Sequence, residues 1–536
     1  MGHLLAVVAF VLAMLVVILV ARLIADRLPV PYTVLLVLLG LLDALLPGPD
    51  LRLNPELVLV LLIPPLLYIA ALRSSLLAIR ADWQPITSLS VVLVLITAFA
   101  VGGLVALVVP RITLAAGVVL GAAVAPPDPV AALSIGRRAG LPPRLLTLIG
   151  GEGMLNDATA ITTWQVAVAA TVSGGVSVAL AAGKFLLAAG GGLAIGLAVA
   201  YLIRLARPLL RDPLLSNTVS LATPFAAYLA GEEAHVSGVL AVVIAGLMAS
   251  HHSPAGESGA SRLQLDAVWQ FVDYVLEGLV FLLIGQQLPA VLRGLKTEPA
   301  DLTTAAILVT LAGVLLVRPL WLFLTQVIPY RLGWNLGYRN PPLNGREATA
   351  VTWAGTRGVI TLAVIFAVPV TTAAGRPFPD RDLLLLCAYM VVLVTLVGQG
   401  LTFAPLLRWL GLRSDPAEEA QVKHEARLAG LRAAMQALTE MQADHALPAE
   451  IAGPLRDSLQ RHADRERERL SLLDEAEEGE VPVPPAQEAL IQAHYAVIDA
   501  QREELLRWRD SGRLSDHLLR QLQQELDLQE RSLPGG

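Results

Sequence analysis

Two aspartates stand where an apolar chain should exclude them. Asp157 lies in GGEGMLNDATA (150–160), close to Glu152 and Asn156, and Asp128 lies in GAAVAPPDPVAAL (121–133). An ionisable group inside a lipid-embedded segment marks a functional site or answers a buried partner. A carboxylate removed from water can hold a proton or a cation on the same oxygens, never both at once. An unperturbed aspartate, with a pKa of about 3.9, is protonated roughly once in a thousand at pH 7. Desolvation disfavours the ionised form, so protons and cations can compete on even terms. The chemistry on offer is reversible, mutually exclusive binding of H⁺ and a metal ion.

The elements that carry these groups follow from their neighbours. Pro126, Pro127 and Pro129 withhold backbone donors, so the segment holding Asp128 must break or unwind. Such a break is tolerated in lipid only where freed carbonyls face protein or a water-filled cavity. Asp128 precedes Arg137 by nine residues, ~14 Å of helix, and Asp157 follows Arg144 by thirteen, ~20 Å. In a hydrocarbon core ~30 Å thick, both acids land near the midplane of adjacent antiparallel helices. A lone intramembrane aspartate can also serve as a hydrogen-bonding group between helices; two at one depth beside a proline break make a site.

Glu152 behaves differently. Five residues from Asp157 is about 140° around a helix, so the two face different neighbours, while Glu152 shares a face with Asn156. Glu152 is expected to pair with a buried cation. Arg357, between Gly355 and Gly358 in WAGTRGVITLAVIFAVP (353–369), is the first choice, its glycines implying local unwinding or close helix approach. Arg318 in VRPLW is a second deep cation, either an anchor near a helix end or the mate of Glu277 in DYVLEGLVFLLIGQQLP.

Composition fixes the class in which these residues operate. Of 536 residues, 55% are apolar and 16% charged, and mean hydropathy is +0.63. A soluble domain of that size would need a more polar surface, so the chain reads as an all-α polytopic membrane protein. Thirteen apolar spans are expected, near 3–21, 30–46, 54–72, 85–109, 112–136, 145–170, 178–203, 214–231, 234–250, 268–292, 302–328, 347–370 and 383–408. The first lacks a basic leader and a small-residue cleavage pattern, so it is read as a retained span. Basic residues such as Arg22, Arg27, Arg73, Arg80, Arg137, Arg138, Arg144, Arg204, Arg207 and Arg211 gather on one side, against Arg52, Arg111, Arg293, Lys296, Arg376 and Arg381 on the other. The excess marks the first side as cytoplasmic, with the N-terminus outside and the tail inside.

Charge density rises sharply after the last span. Residues 1–412 are read as the transmembrane domain and 413–536 as a helical cytoplasmic tail. Leu428, Leu431, Met435, Leu438 and Met441 recur at helical spacing, as do Leu518, Leu519, Leu522 and Leu526 behind a capping Ser515. The acidic, proline-rich stretch near 475–488 reads as a linker. A helical hairpin packed on itself or on a second copy is favoured over a sensor.

Taken in order, these segments resemble the bacterial branch of the monovalent cation:proton antiporter-1 family, the sodium/proton exchangers. PPDPVAA is similar to the family's DP element, GEGMLND to its GES-x-x-ND element, and GTRG to its G-x-RG element. LIPPLLYIAAL (62–72), HVSGVLAVVIAGL (235–247), EGLVFLLIGQQL (277–288) and TLVGQGLTFAPLLRWLGL (395–412) resemble family segments too. The resemblance implies thirteen helices in two inverted repeats with interrupted helices, a homodimer, and elevator-like exchange of Na⁺, K⁺ or Li⁺ for H⁺. The broken fifth span and the GTRG-bearing twelfth run oppositely through the membrane, as interrupted helices of inverted repeats should. By resemblance, Asp157 binds proton and cation, Asp128 and nearby backbone complete the oxygen shell, Asn156 accompanies one-for-one electroneutral exchange, and Glu152 with Arg357 forms a structural pair.

Three positions depart from that pattern. Gly153 replaces the serine of GES, Pro127 the small residue before the DP aspartate, and Ile69 a glutamate common after the PPLL-aromatic run. Carbonyls, water or hydroxyls such as Thr159 and Thr162 would have to substitute for the missing ligands. Na⁺ is the first expectation, with K⁺ or Li⁺ as further cargo.

Other functions leave different marks. A channel would use midplane acids without needing protonation to exclude the ion. A membrane enzyme needs a nucleophile–base set or a metal cluster within the spans, and the sequence offers neither. A non-transporting sensor on the same scaffold is the remaining alternative. With one cysteine, Cys387, an intramolecular disulfide and a cysteine-based metal cage are excluded. No cofactor and no nucleic acid partner is expected; lipid is.

Overall fold

The structure is a computed structural model that describes residues 2–25, 27, 30–44, 58–173, 178–206, 209, 212–252, 259–293, 299–334, 339–443, 448–475, 485–511 and 513–531. Arg52, Arg207, Arg211, Lys296, the Arg293 side chain and most of the linker near 475–488 lie outside the described residues. The chain divides into two compact units, Met1–Arg413 and Ser414–Gly536.

The first unit is built of helices joined by turns and loops, and among its described residues the one β-bridge lies between Thr371 and Pro377. Its helices are α1 (Gly2–Ala25), α2 (Tyr32–Asp43), α3 (Val58–Leu72), α4 (Trp83–Val108), α5 (Leu114–Val124) and α6 (Pro129–Arg138). They continue as α7 (Pro143–Ser173), α8 (Val178–Ala206), α9 (Pro213–Glu233), α10 (Gly238–His252) and α11 (Gly259–Gln286). The unit closes with α12 (Ala300–Leu322), the half-helices α13 (Gly345–Trp353) and α14 (Val359–Phe366), and α15 (Arg381–Leu410).

Among the described residues, six stretches are long and apolar enough to cross a membrane: α4, α5 with α6, Ala182–Ala206 in α8, Ser261–Gln286 in α11, Ala300–Leu332 including α12, and α15. Shorter apolar helices, including α2, α3 and Gly238–His251, accompany them. With 31 residues α7 is long enough but less apolar, because it carries Glu152, Asn156 and Asp157. Polarity and burial go together here: all three of these side chains are buried.

Small residues let the helices that frame the site pack backbone to backbone, the usual route where lipid supplies no hydrophobic drive between helices. Gly117 and Gly121 of α5 lie against Gly102 and Ala98 of α4, so closely that a Cβ at either would strike a backbone carbonyl of α4. Helix α7 packs on both α5 and α4, and α12 packs on α4. Further out, α11 lies along α2, α8 on α10, and α10 on α3.

The tail unit contains α16 (Pro416–Ala443), α17 (Ala449–Glu475), α18 (Pro485–Asp510) and α19 (Asp516–Arg531). Helix α16 pairs with α17 and α18 with α19. Leu428 and Leu438 of the expected apolar face are buried, whereas Met441 is exposed. Ser515 accepts from the Leu518 N–H (3.4 Å) at the start of α19.

Gly121→Val should force α4 and α5 apart and destabilise the fold by at least ~1–3 kcal/mol. Gly103→Ala, where no atom lies within 4 Å of an added Cβ, should leave stability unchanged or raised. Thermal unfolding of the detergent-purified variants separates the two outcomes.

Candidate ion-binding site

The site is built where two interrupted helices meet. Pro126, Pro127 and Pro129 lack backbone donors, so α5 stops at Val124 and the chain re-enters helix at Pro129. On the other segment α13 ends at Trp353 and α14 starts at Val359, leaving Thr356, Arg357 and Gly358 non-helical between them. The two breaks bond to each other. The Asp128 backbone N–H donates to the Thr356 carbonyl (2.6 Å), and the Thr356 hydroxyl donates to the Asp128 carbonyl (3.0 Å). A Cβ on Gly358 would overlap the Asp128 carboxylate.

Charge is distributed according to the helix ends. Helices α6 and α14 begin at the crossing, and their positive ends meet a carboxylate: Asp128 Oδ1 accepts from the Val130 N–H (2.9 Å) and caps α6. At the negative ends of α5 and α13 sits Arg357. Its Nε donates to the Val124 carbonyl (3.0 Å), Nη2 to that of Ala125 (3.3 Å), and Nη1 to that of Gly355. Its backbone N–H donates to Thr395 Oγ1 of α15 (3.0 Å).

Helix α7 crosses beside this knot. Asn156 Nδ2 donates to the Pro127 carbonyl (2.8 Å), tying α7 to the break. One residue on, Asp157 is 5% exposed, and its carboxylate accepts no hydrogen bond from the described residues. It lines a cavity of about 70 Å³ together with Asp128, Gly153, Gly358, Thr361 and Glu277. One water needs ~10–15 Å³, so a small cation with part of its hydration shell fits between the two aspartates.

A sequence profile of the transmembrane sodium/hydrogen exchangers matches residues 11–409, a range that contains every residue of this site. The chain belongs to the sodium/hydrogen exchanger family. It is a multi-pass membrane protein and not an enzyme. An uncharacterised Na⁺/H⁺ exchanger of Mycobacterium tuberculosis is 32% identical over 98% of this chain and 95% of its own. A sodium, potassium, lithium and rubidium/H⁺ antiporter of Bacillus subtilis is 34% identical over 72% of this chain and 59% of its own. The fold matches that of the sodium proton antiporter of Methanocaldococcus jannaschii with a TM-score of 0.59, at 19% identity, over 77% of this chain and 100% of that one.

Within this exchanger fold neither expected ion pair forms. Glu152 is held by Arg318, not Arg357: Arg318 Nη1 meets Oε1, and Nη2 meets Oε2 at 2.8 Å. Arg318 also donates to the Val351 carbonyl of α13 through Nε (3.2 Å) and Nη2 (2.9 Å). The physical reason is that Arg357 is consumed by carbonyls that the two breaks leave without partners. Gly355 permits the substitution, because an added Cβ there would lie 2.9 Å from Arg318 Cδ and Nε. The second expected pair, Glu277 with Arg318, does not form either, since Glu277 turns to the cavity.

The hydroxyls expected to supplement the ion shell are occupied elsewhere. Thr159 Oγ1 donates to the Leu155 carbonyl (3.4 Å) and Thr162 Oγ1 to that of Ala158 (2.7 Å), and neither lines the cavity. Asn156 likewise does not line it; its amide serves the Pro127 carbonyl. At Gly153, a side chain would run into the Pro129 ring, so a serine has no room. Ile69 is buried in the wall of a neighbouring cavity. Sequence reasoning missed Thr356, Thr361 and Thr395. The glycines around Arg357 were the available signal, because an unwound stretch needs partners for its own backbone.

Removing one partner of a buried ion pair leaves the other charge uncompensated, at a cost of about 3–5 kcal/mol. Glu152→Gln and Arg318→Gln should each destabilise by that order. A double-mutant cycle on unfolding in detergent should couple Glu152 to Arg318 by at least ~1 kcal/mol and to Arg357 by less.

Proposed function

We propose that this chain is a secondary antiporter that exchanges a monovalent cation for H⁺ across the plasma membrane, with both ligands competing for Asp157. The observation that carries this is the cavity at the crossing of the two broken helices, into which Asp157 and Asp128 both open. Asp157, whose carboxylate accepts no hydrogen bond from the described residues, is the exchanging group; Asp128 contributes the oxygen that is not capping α6. The unwound backbone around Pro127 and Thr356 keeps the crossing open, and Asn156 fixes its distance from α7. Glu152 and Arg318 brace α7 against α12 and α13.

Cargo follows from the ligand chemistry. A hard cation needs several oxygens, and the cavity is lined by the carboxylates of Asp128, Asp157 and Glu277 and by Thr361, with water to complete the shell. With Pro129 occupying the place of a serine side chain, the shell is less complete than a dedicated Na⁺ cage. Na⁺ as the principal cargo, with K⁺ and Li⁺ also accepted, fits that set, and the Bacillus subtilis relative carries the name of such a broad antiporter. Asn156 beside Asp157 adds no second titrating group, which supports one-for-one, electroneutral exchange. The architecture proposed is thirteen spans in two inverted repeats, a homodimer in lipid, the N-terminus outside and the tail of α16 to α19 in the cytoplasm. A wider cavity next to the site reaches Arg73, Ser75 and Arg137, on the arginine-rich side, so this conformation opens inward.

In everted vesicles carrying a pH gradient, Na⁺, K⁺ or Li⁺ should dissipate the gradient, at a rate unaffected by clamping the membrane potential. Asp157→Asn, inserted at normal levels, should abolish the response. Exchange retained by that variant would contradict the assignment.

A further inference from the structure

Two cavities abut at the site, and one carboxylate belongs to both. The inner one holds Asp128 and Asp157. The outer one, about 340 Å³, is lined by Arg73, Ser74, Ser134, Arg137 and Asp273. Glu277 of α11 lines each of them, at the junction where Leu66, Ala70, Pro129 and Val130 are also shared.

Its surroundings argue against a structural role. No hydrogen bond or ion pair is made to the Glu277 carboxylate by the described residues. Asp273, one turn earlier on α11, is matched by Arg73 at 2.5 Å. Arg318, the cation that could have answered Glu277, is bound to Glu152. The charges facing Glu277 are therefore Arg22 of α1, Arg73 at the end of α3, Arg137 of α6, and the carboxylates Asp128, Asp157 and Asp273. An ionised carboxylate left unpaired in a protein interior is expensive unless it takes up a proton or faces water or a ligand. Glu277 lies where the outer cavity adjoins the ion pocket.

We propose that Glu277 is a positioning carboxylate for the transported cation: it takes the ion from the outer cavity and delivers it to Asp157. The step is an exchange of oxygen ligands on the cation, with no bond made or broken in the protein. One carboxylate at the junction lowers the electrostatic barrier that the Arg137 side chain imposes on a cation leaving the outer cavity, where Arg73 is already matched by Asp273. It also gives the ion an oxygen to replace part of the water it sheds. Asp157 remains the group at which proton and cation exclude each other. Glu277 governs how well the cation reaches it, so its influence falls on cation affinity rather than on turnover. This rests on the antiport reading of the same pocket.

The test is the cation dependence of exchange in everted vesicles for the unaltered protein, Glu277→Gln and Glu277→Asp. Glu277→Gln should raise KM for Na⁺ about tenfold while Vmax per inserted protein stays within roughly threefold. Glu277→Asp, which keeps the charge, should return KM to within about threefold of the original. An unchanged KM in Glu277→Gln, or a fall in Vmax with KM unchanged, overturns the proposal and leaves the antiport reading intact. Absence of exchange in the unaltered protein would instead sink the antiport reading. Should either protein fail to exchange, the Na⁺ concentration that half-saturates thermal stabilisation of the purified protein is compared between the two. A shift to higher Na⁺ in Glu277→Gln supports the role, and an unshifted midpoint overturns it.

Discussion

A helix interrupted inside a membrane exposes carbonyls and N–H groups that lipid cannot satisfy, and the whole arrangement answers that constraint. The segments broken at Pro126–Asp128 and at Gly355–Gly358 satisfy each other. Asp128 and Thr356 exchange hydrogen bonds, and the Arg357 guanidinium gathers the carbonyls of Val124, Ala125 and Gly355. The helix ends then sort by sign: a carboxylate at the positive end of α6, an arginine at the negative ends of α5 and α13. Because Arg357 neutralises one pole of the crossing, Asp128 and Asp157 can share the other without a basic side chain between them. That leaves their oxygens to a mobile ligand.

The rest of the unit holds this crossing at fixed dimensions. Helix α7 supplies three polar residues to three different neighbours. Glu152 reaches Arg318 of α12, Asn156 reaches Pro127 at the break, and Asp157 enters the cavity. Gly153 permits the approach, since the Pro129 ring fills the space a side chain would take. Gly117 and Gly121 seat α5 directly on α4. A cavity of about 70 Å³ is thus fixed by contacts that leave little slack. Its size leaves room for a small cation with part of its hydration shell.

Much of this was legible in the sequence. The prolines around Asp128 announce the break, and counting helix rise from Arg137 and Arg144 brings Asp128 and Asp157 to one depth. The apolar periodicity gives the helical class. What spacing does not contain is the rotation of one helix relative to another. Glu152 was correctly read as facing away from Asp157, yet the choice between Arg318 and Arg357 depends on how α12 is turned and on the backbone debts of the breaks. Arg357 is diverted to the carbonyls of Val124, Ala125 and Gly355, a convergence that sequence spacing does not show. The same limit applies to Thr159 and Thr162. Their positions suit a ligand shell, but the α7 backbone one turn earlier captures their hydroxyls.

The central claim is that proton and cation cannot occupy Asp157 together. Proton release on cation binding tests it most directly. Purified protein in weakly buffered detergent solution, held at the pH of half-maximal exchange, is titrated with Na⁺ while the pH is followed. Protons should appear in the medium in proportion to bound Na⁺, and Asp157→Asn should release none. Na⁺ binding with no proton released from the unaltered protein would contradict the account.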